Sequence, residues 1–154
     1  MVAVVQSSAV FGVDAYLVQI EADIANGLPA LNIVGLPDGA VRESRDRVTA
    51  ALRNSGFAVP PKKITVNLAP ADVRKEGTAF DLGVALAILA ASEQIPAGAG
   101  EKALVLGELS LDGGLRPVRG TVAIAADAKA HGITSLLVPK QNAEEAAVIE
   151  GIDV

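Results

Sequence analysis

No cysteine and no tryptophan occur in these 154 residues, and there is one histidine, one tyrosine and three phenylalanines. The missing thiols exclude zinc fingers, iron–sulfur clusters, thiol nucleophiles and a disulfide framework. Any Ser-His-Asp triad, imidazole base or His-ligated metal would have to use His131. That residue stands in KAHG, where an imidazole beside the last carbonyls of a helix and a left-handed Gly132 make a C-cap. No long apolar run exists either: Leu82 to Ser92 is the longest, short of the roughly 20 residues that cross a bilayer. The first residues lack a basic segment ahead of the apolar stretch, so the expectation is a cytoplasmic protein with no leader and no membrane partner.

What is present describes a folded domain. Hydrophobic residues make up 51% and charged residues 20% of the chain, and a chain of this size buries about 68–70% of its unfolded surface. With so few aromatics, the core must be built from Ala, Val, Leu and Ile, which lets helices and strands approach closely. The net charge of −5 is unevenly spread: residues 1–41 carry no base and net −4, residues 42–75 net +5, and residues 76–154 net −6. Local potential governs an encounter with phosphate, so the middle third can bind a polyanion despite the acidic total. The competing account is a solvated helix face with i, i+4 pairs Arg42–Asp46 and Glu43–Arg47.

VAVVQSS, DAYLVQIEADI and ALNIV read as three consecutive strands, the last two separated by the turn signal GLPA. Asp38 is a candidate N-cap, and Val41, Val48, Ala51 and Leu52 recur at helical spacing up to Gly56. KITVNLA reads as a strand and PADVRKEGT as a loop; Asp81 then opens the almost wholly apolar helix LGVALAILAAS, which implies burial on most sides. ALVLGELSL and LRPV flank Asp112-Gly113-Gly114 as a hairpin, Thr121–His131 is an Ala-rich helix, SLLVP a strand, and a short helix starts at Gln141. Runs of strands mixed with alternating helices predict one α+β (mixed α/β) domain over 1–154, with a mixed sheet and about four helices.

The chemistry the residues permit is narrow. The phosphate loop G-x-x-x-x-G-K-S/T is absent, as is the dinucleotide fingerprint; IVGLPDG has only a glycine after a strand. Glu144, Glu145, Glu150 and Asp153 read as a solvated helix face and terminus, so no metal site is expected. A hydroxyl activated by a lysine is the remaining nucleophilic option. Its candidate is Thr78 in RKEGTAFDLG, with Ser110 as a second hydroxyl, and the only lysine nearby in sequence is Lys75.

Three long strings, GLPALNIVGLPDGAVRESRDRV (27–48), KITVNLAPADVRKEGTAFDLGVALAIL (63–89) and GELSLDGGLRPVRG (107–120), resemble the N-terminal domain of the YifB/ComM family of magnesium-chelatase-like (ChlI-related) AAA+ ATPases. The resemblance covers essentially the whole chain. It implies a Lon-protease-like domain of the ribosomal protein S5 domain 2-like fold, followed in full-length relatives by an ATPase module absent from this chain. It also implies ATP and magnesium only for that module, and no cofactor here. Laid on the Lon-type strings, KEGTAFD puts Ala79 at the nucleophile position and GELSLDGGLRPVRGTV puts Val122 at that of its lysine. Neither carries the chemistry, so the isolated domain is expected not to be an enzyme. The family implies a homohexameric DNA motor acting in branch migration, recombination and natural transformation, with the chain's own AAA+ module and DNA, bound without sequence preference, as partners. Arg74, Lys75, Arg116 and Arg119, on the two loops flanking the vacated site, are the expected nucleic-acid contacts. The alternatives are an active Ser/Thr-Lys Lon-type peptidase and a subunit-interaction domain of a magnesium-chelatase-like complex.

Overall fold

The computed structural model describes residues 2–96, 98–99 and 102–154. Strands β1 (Val2–Phe11) and β2 (Asp14–Ala25) form a long antiparallel hairpin, in register from Val2 opposite Asp23 to Phe11 opposite Asp14. β1 runs three residues beyond the expected VAVVQSS because its serines do not need water. Ser7 donates its hydroxyl to the Val105 carbonyl (2.7 Å) and Ser8 to that of Tyr16 (2.8 Å), so neither is left as a buried unpaired group.

Six strands make one mixed sheet, in the order β3 (Ala30–Val34), β4 (Lys63–Ala69), β2, β1, β5 (Leu104–Val105), β8 (Leu136–Leu137). β3, although next to β2 in sequence, is not its neighbour in the sheet. β4 inserts between them, antiparallel to β2 and parallel to β3. The expected strand ALVLGELSL is likewise divided: β5 stays in the large sheet while β6 (Glu108–Leu109) pairs with β7 (Leu115–Arg116) in a small hairpin. The break falls at Gly107, whose N–H donates to the Ala79 carbonyl and whose carbonyl accepts from Leu82, both at 3.0 Å.

The expected helix from Asp38 to Gly56 is two, α1 (Gly39–Arg42) and α2 (Ser44–Asn54). At the junction the Ala40 carbonyl accepts from the Arg47 guanidinium at 2.9 Å, a side-chain bond in the turn where an unbroken helix would use its backbone alone. α2 and α3 (Asp81–Ala91) cover one face of the sheet over a core that includes Val18, Ile20, Val66, Leu68, Val84 and Ile88. Nine of the eleven α3 residues are buried, and Gly83 sets how close the helix comes: a β-carbon there would lie 2.5 Å from Ile20 Cδ1. α4 (Thr121–Ala130) covers the other face with Leu104, Leu106, Ile124 and Leu136. The chain finishes with a 3₁₀ turn (Lys140–Asn142), α5 (Ala143–Ala146) and Asp153, which exchanges backbone bonds with Thr134 and Leu136 at 2.8 Å.

Candidate functional cleft and basic surface

Loop 76–79, the end of β1, β6 and segment 117–119 enclose a cleft of about 620 Å³. Its floor is apolar, with Ala9, Val10, Ala79, Val118 and Ile124, and its charged lining is Asp38, Glu76, Glu108 and Arg119. Each wall is fixed by hydrogen bonds. Asp38 caps α1 by accepting from Val41 N–H at 2.8 Å and reaches Gly77 N–H at 3.4 Å. Across the cleft the Asn142 amide brackets Val118, accepting from its N–H and donating to its carbonyl at 2.9 Å each. Glu145 accepts in turn from Asn142 and from the Thr121 hydroxyl. This polar bracket has no motif in the sequence.

Ala79 lines the cleft, and Val122, 40% exposed on the first turn of α4, does not. Thr78 lines it too, but no lysine does. Ser110 gives its hydroxyl to Asp112 Oδ1 (2.6 Å) and the Gly114 carbonyl (3.1 Å), which closes the β6–β7 turn. The Ser110 hydroxyl and then the Gly114 N–H, which donates to Asp112 Oδ1 at 2.9 Å, hold the Asp112 carboxyl below its ordinary range.

The four expected phosphate contacts separate. Lys75, read from the sequence as exposed, is fully buried. Its backbone is pinned to segment 36–38 by bonds to Leu36 and Asp38, and its ammonium turns inward to the Pro70 carbonyl. Burial pushes its pKa down, with Asp72 opposing. A phosphate outside the molecule cannot reach it. Arg74, Arg116 and Arg119 are exposed, and each has an acid beside it. Arg74 pairs with Glu76 at 3.5 Å, Arg116 stands opposite Glu108 in the β6–β7 ladder, and Arg119 shares the cleft with Asp38, Glu76 and Glu108. The same acids act on Tyr16, whose phenol is pushed up by burial first and then by Glu76 and Asp38.

The sequence missed one buried ion pair. Arg47 forms a two-pronged contact with Asp81, Nε to Oδ2 at 2.6 Å and Nη2 to Oδ1 at 3.0 Å. Asp81 Oδ2 also accepts from the Leu109 N–H at 3.1 Å. The expected Glu43–Arg47 pair exists only as a 3.8 Å contact, and the Arg42–Asp46 pair is not found among the described residues. His131 caps α4, its Nδ1 donating to the Asp127 carbonyl at 2.8 Å, and Gly132 follows at φ +77°.

The turn after β3 presents the carboxylate of Asp38, not open N–H groups, to the start of the four-residue α1, and a phosphate there would meet like charge. Among the described residues no group of three His, Cys, Asp or Glu could hold a metal, and no helix is long and apolar enough to cross a membrane.

Residues 20–142 match the family model for subunit ChlI of Mg-chelatase. The chain belongs to the ChlI family. Within it, competence protein ComM of Haemophilus influenzae is 48% identical over 148 residues, and protein YifB of Escherichia coli 46% over 148. An uncharacterized protein of Mycobacterium tuberculosis is 47% identical over the same length. In each case the match covers 96% of this chain and 29% of the relative, so this ChlI-family chain spans under a third of the length of the curated relatives it matches.

Proposed function

We propose that this chain is the non-proteolytic, Lon-like N-terminal domain of a YifB/ComM-type AAA+ ATPase, and that it contributes ring assembly and sequence-independent DNA contact to an ATP-driven motor. The observation that carries the non-catalytic part is the make-up of the cleft. Ala79 offers no nucleophile at the position the Lon-type comparison assigns to one, and no amine lines the cleft to activate Thr78. Lys75, the nearest lysine in sequence, is held by the Pro70 carbonyl. A Lon-type hydroxyl nucleophile needs an amine within hydrogen-bond reach, and the basic side chain in the cleft is the guanidinium of Arg119.

The motor role rests on kinship with ComM, and ATP hydrolysis belongs on this reading to a module outside these residues. The test is incubation of the chain with unfolded casein and with a fluorophosphonate probe. No cleavage and no labelled hydroxyl are expected; labelling of one hydroxyl, abolished by its substitution, would restore the peptidase alternative. The chelatase alternative has the match to subunit ChlI of Mg-chelatase in its favour and is separated from the motor reading by whether the chain binds DNA.

A further inference from the structure

Exposed bases without acid partners lie outside the cleft, on α2 and around the start of β4. Arg45, Arg53, Lys62 and Lys63 are all exposed, and among the described residues none is ion-paired. The Nε of Arg45 donates to the Arg42 carbonyl at 3.3 Å, which orients the guanidinium and leaves its outer nitrogens for a ligand. Two grooves join three of these side chains, Arg45, Arg53 and Lys62. One, of about 530 Å³, runs between α2 and β3 and is lined by Leu31, Arg45, Asp46, Thr49, Ala50 and Arg53. The other, of about 280 Å³, is lined by Arg53 and Lys62 among others. Leu31 and Arg53 belong to both, so the grooves form one continuous track with three bases and a single acid, Asp46. The cleft has the reverse balance, three acids to one base.

We infer that this track, and not the pair of loops around the cleft, receives the phosphate backbone of a nucleic acid. The inference rests on the DNA contact proposed above and changes its address. Arg45 and Arg53 are eight residues apart on one helix, about 12 Å along its axis, which corresponds to three or four phosphates at roughly 3.4 Å per strand step. Thr49 lies between them in the same groove and adds a hydroxyl donor. No aromatic side chain lines either groove, so bases have nothing to stack on and the contact reads charge spacing, not sequence. The acidic remainder of the chain opposes binding and keeps it weak and salt-sensitive.

The experiment is fluorescence anisotropy of labelled duplex DNA, single-stranded DNA and single-stranded RNA with this chain, titrated across a salt series. For three phosphate contacts on duplex DNA, the log–log slope should be near −2.7, at about 0.9 per contact. Arg45→Glu/Arg53→Glu should weaken binding tenfold or more, and the milder Arg45→Gln/Arg53→Gln should lower the slope by about 2. A loop variant, Arg74→Glu/Arg116→Glu/Arg119→Glu, should stay within about twofold, and circular dichroism checks that each variant is folded. If the loop variant loses binding and the track variants keep it, the inference falls while the proposed function stands. Absence of binding to any probe at low salt removes the DNA contact itself. Competition by poly-glutamate as effective, charge for charge, as that by DNA would overturn the assignment to phosphates.

Discussion

Arg47 and Asp81, 34 positions apart in the chain, meet in a two-pronged ion pair whose carboxylate is 1% exposed and also holds the backbone N–H of Leu109. One carboxylate thus connects α2, α3 and the β6–β7 hairpin. Removing a single partner of such a pair strands a charge in the interior at about 3–5 kcal/mol. Arg47→Met should therefore lower Tm on the order of 10 °C. Arg47→Met/Asp81→Asn should cost clearly less than the sum of the single changes, since the neutral amide keeps an acceptor for Leu109 N–H. Thermal melts of the four proteins give the coupling; additive losses would mean that the pair does not act as a unit.

Gly35 sits at φ +103°, and a β-carbon there would fall 2.2 Å from the Leu68 carbonyl oxygen. Backbone cannot step aside as a side-chain end can. Strain of about 1–3 kcal/mol from the dihedral alone, with the overlap added to it, is expected for Gly35→Ala. Urea unfolding should show a lowered midpoint with an unchanged m-value.

Lys75 gives a pH dependence of defined sign. Its folded pKa lies below the ordinary value because burial disfavours the ammonium, so between the two values the unfolded chain binds more protons than the folded one. Stability then rises with pH through that window, up to about 10.4. The difference in unfolding free energy between wild type and Lys75→Met should shift in favour of wild type as pH climbs from 7 toward 10. A flat difference would show that the ammonium is no harder to charge in the fold than in the open chain.

Asn142 holds segment 117–119 against the cleft through both backbone groups of Val118. Asn142→Ala leaves those groups without their partner at about 1–3 kcal/mol each where water cannot replace it. Hydrogen exchange at Val118 and Arg119 should accelerate well before that of β1 and β2. Uniform acceleration across the sheet would mean that the bracket is part of the global unfolding unit.

Assembly is tested by light scattering. The chain alone should show weak or no self-association, because it supplies only a fraction of the subunit surface on the ring reading. A stable closed hexamer at low micromolar concentration would place the assembly determinants within these residues.

Period and punctuation made the hairpin strands, β4, the buried α3 and the capped α4 legible in the sequence, because each is specified by its own residues. What stayed hidden was long-range. β4 displacing β3 from β2 depends on which strand edges meet, and no residue of ALNIV encodes that choice locally. Asp81 reads as a helix opener until α2 brings Arg47 to it. The charge of Lys75, between Arg74 and Glu76, looked like surface, and its direction was decided by the bonds of its backbone to Leu36 and Asp38. That residue 79 brings no nucleophile was legible from the string KEGTAFD, whereas the Asn142 bracket across the cleft needed a contact across 24 residues.

The inward ammonium of Lys75 has a use of its own. The chain has six lysines, and the other five, Lys62, Lys63, Lys102, Lys129 and Lys140, are exposed. An acylating reagent should therefore modify five sites within minutes and the sixth only when segment 70–75 swings out. The rate at that one amine times the opening of the loop that joins β4 to the cleft, a reporter of local breathing that requires no label to be introduced.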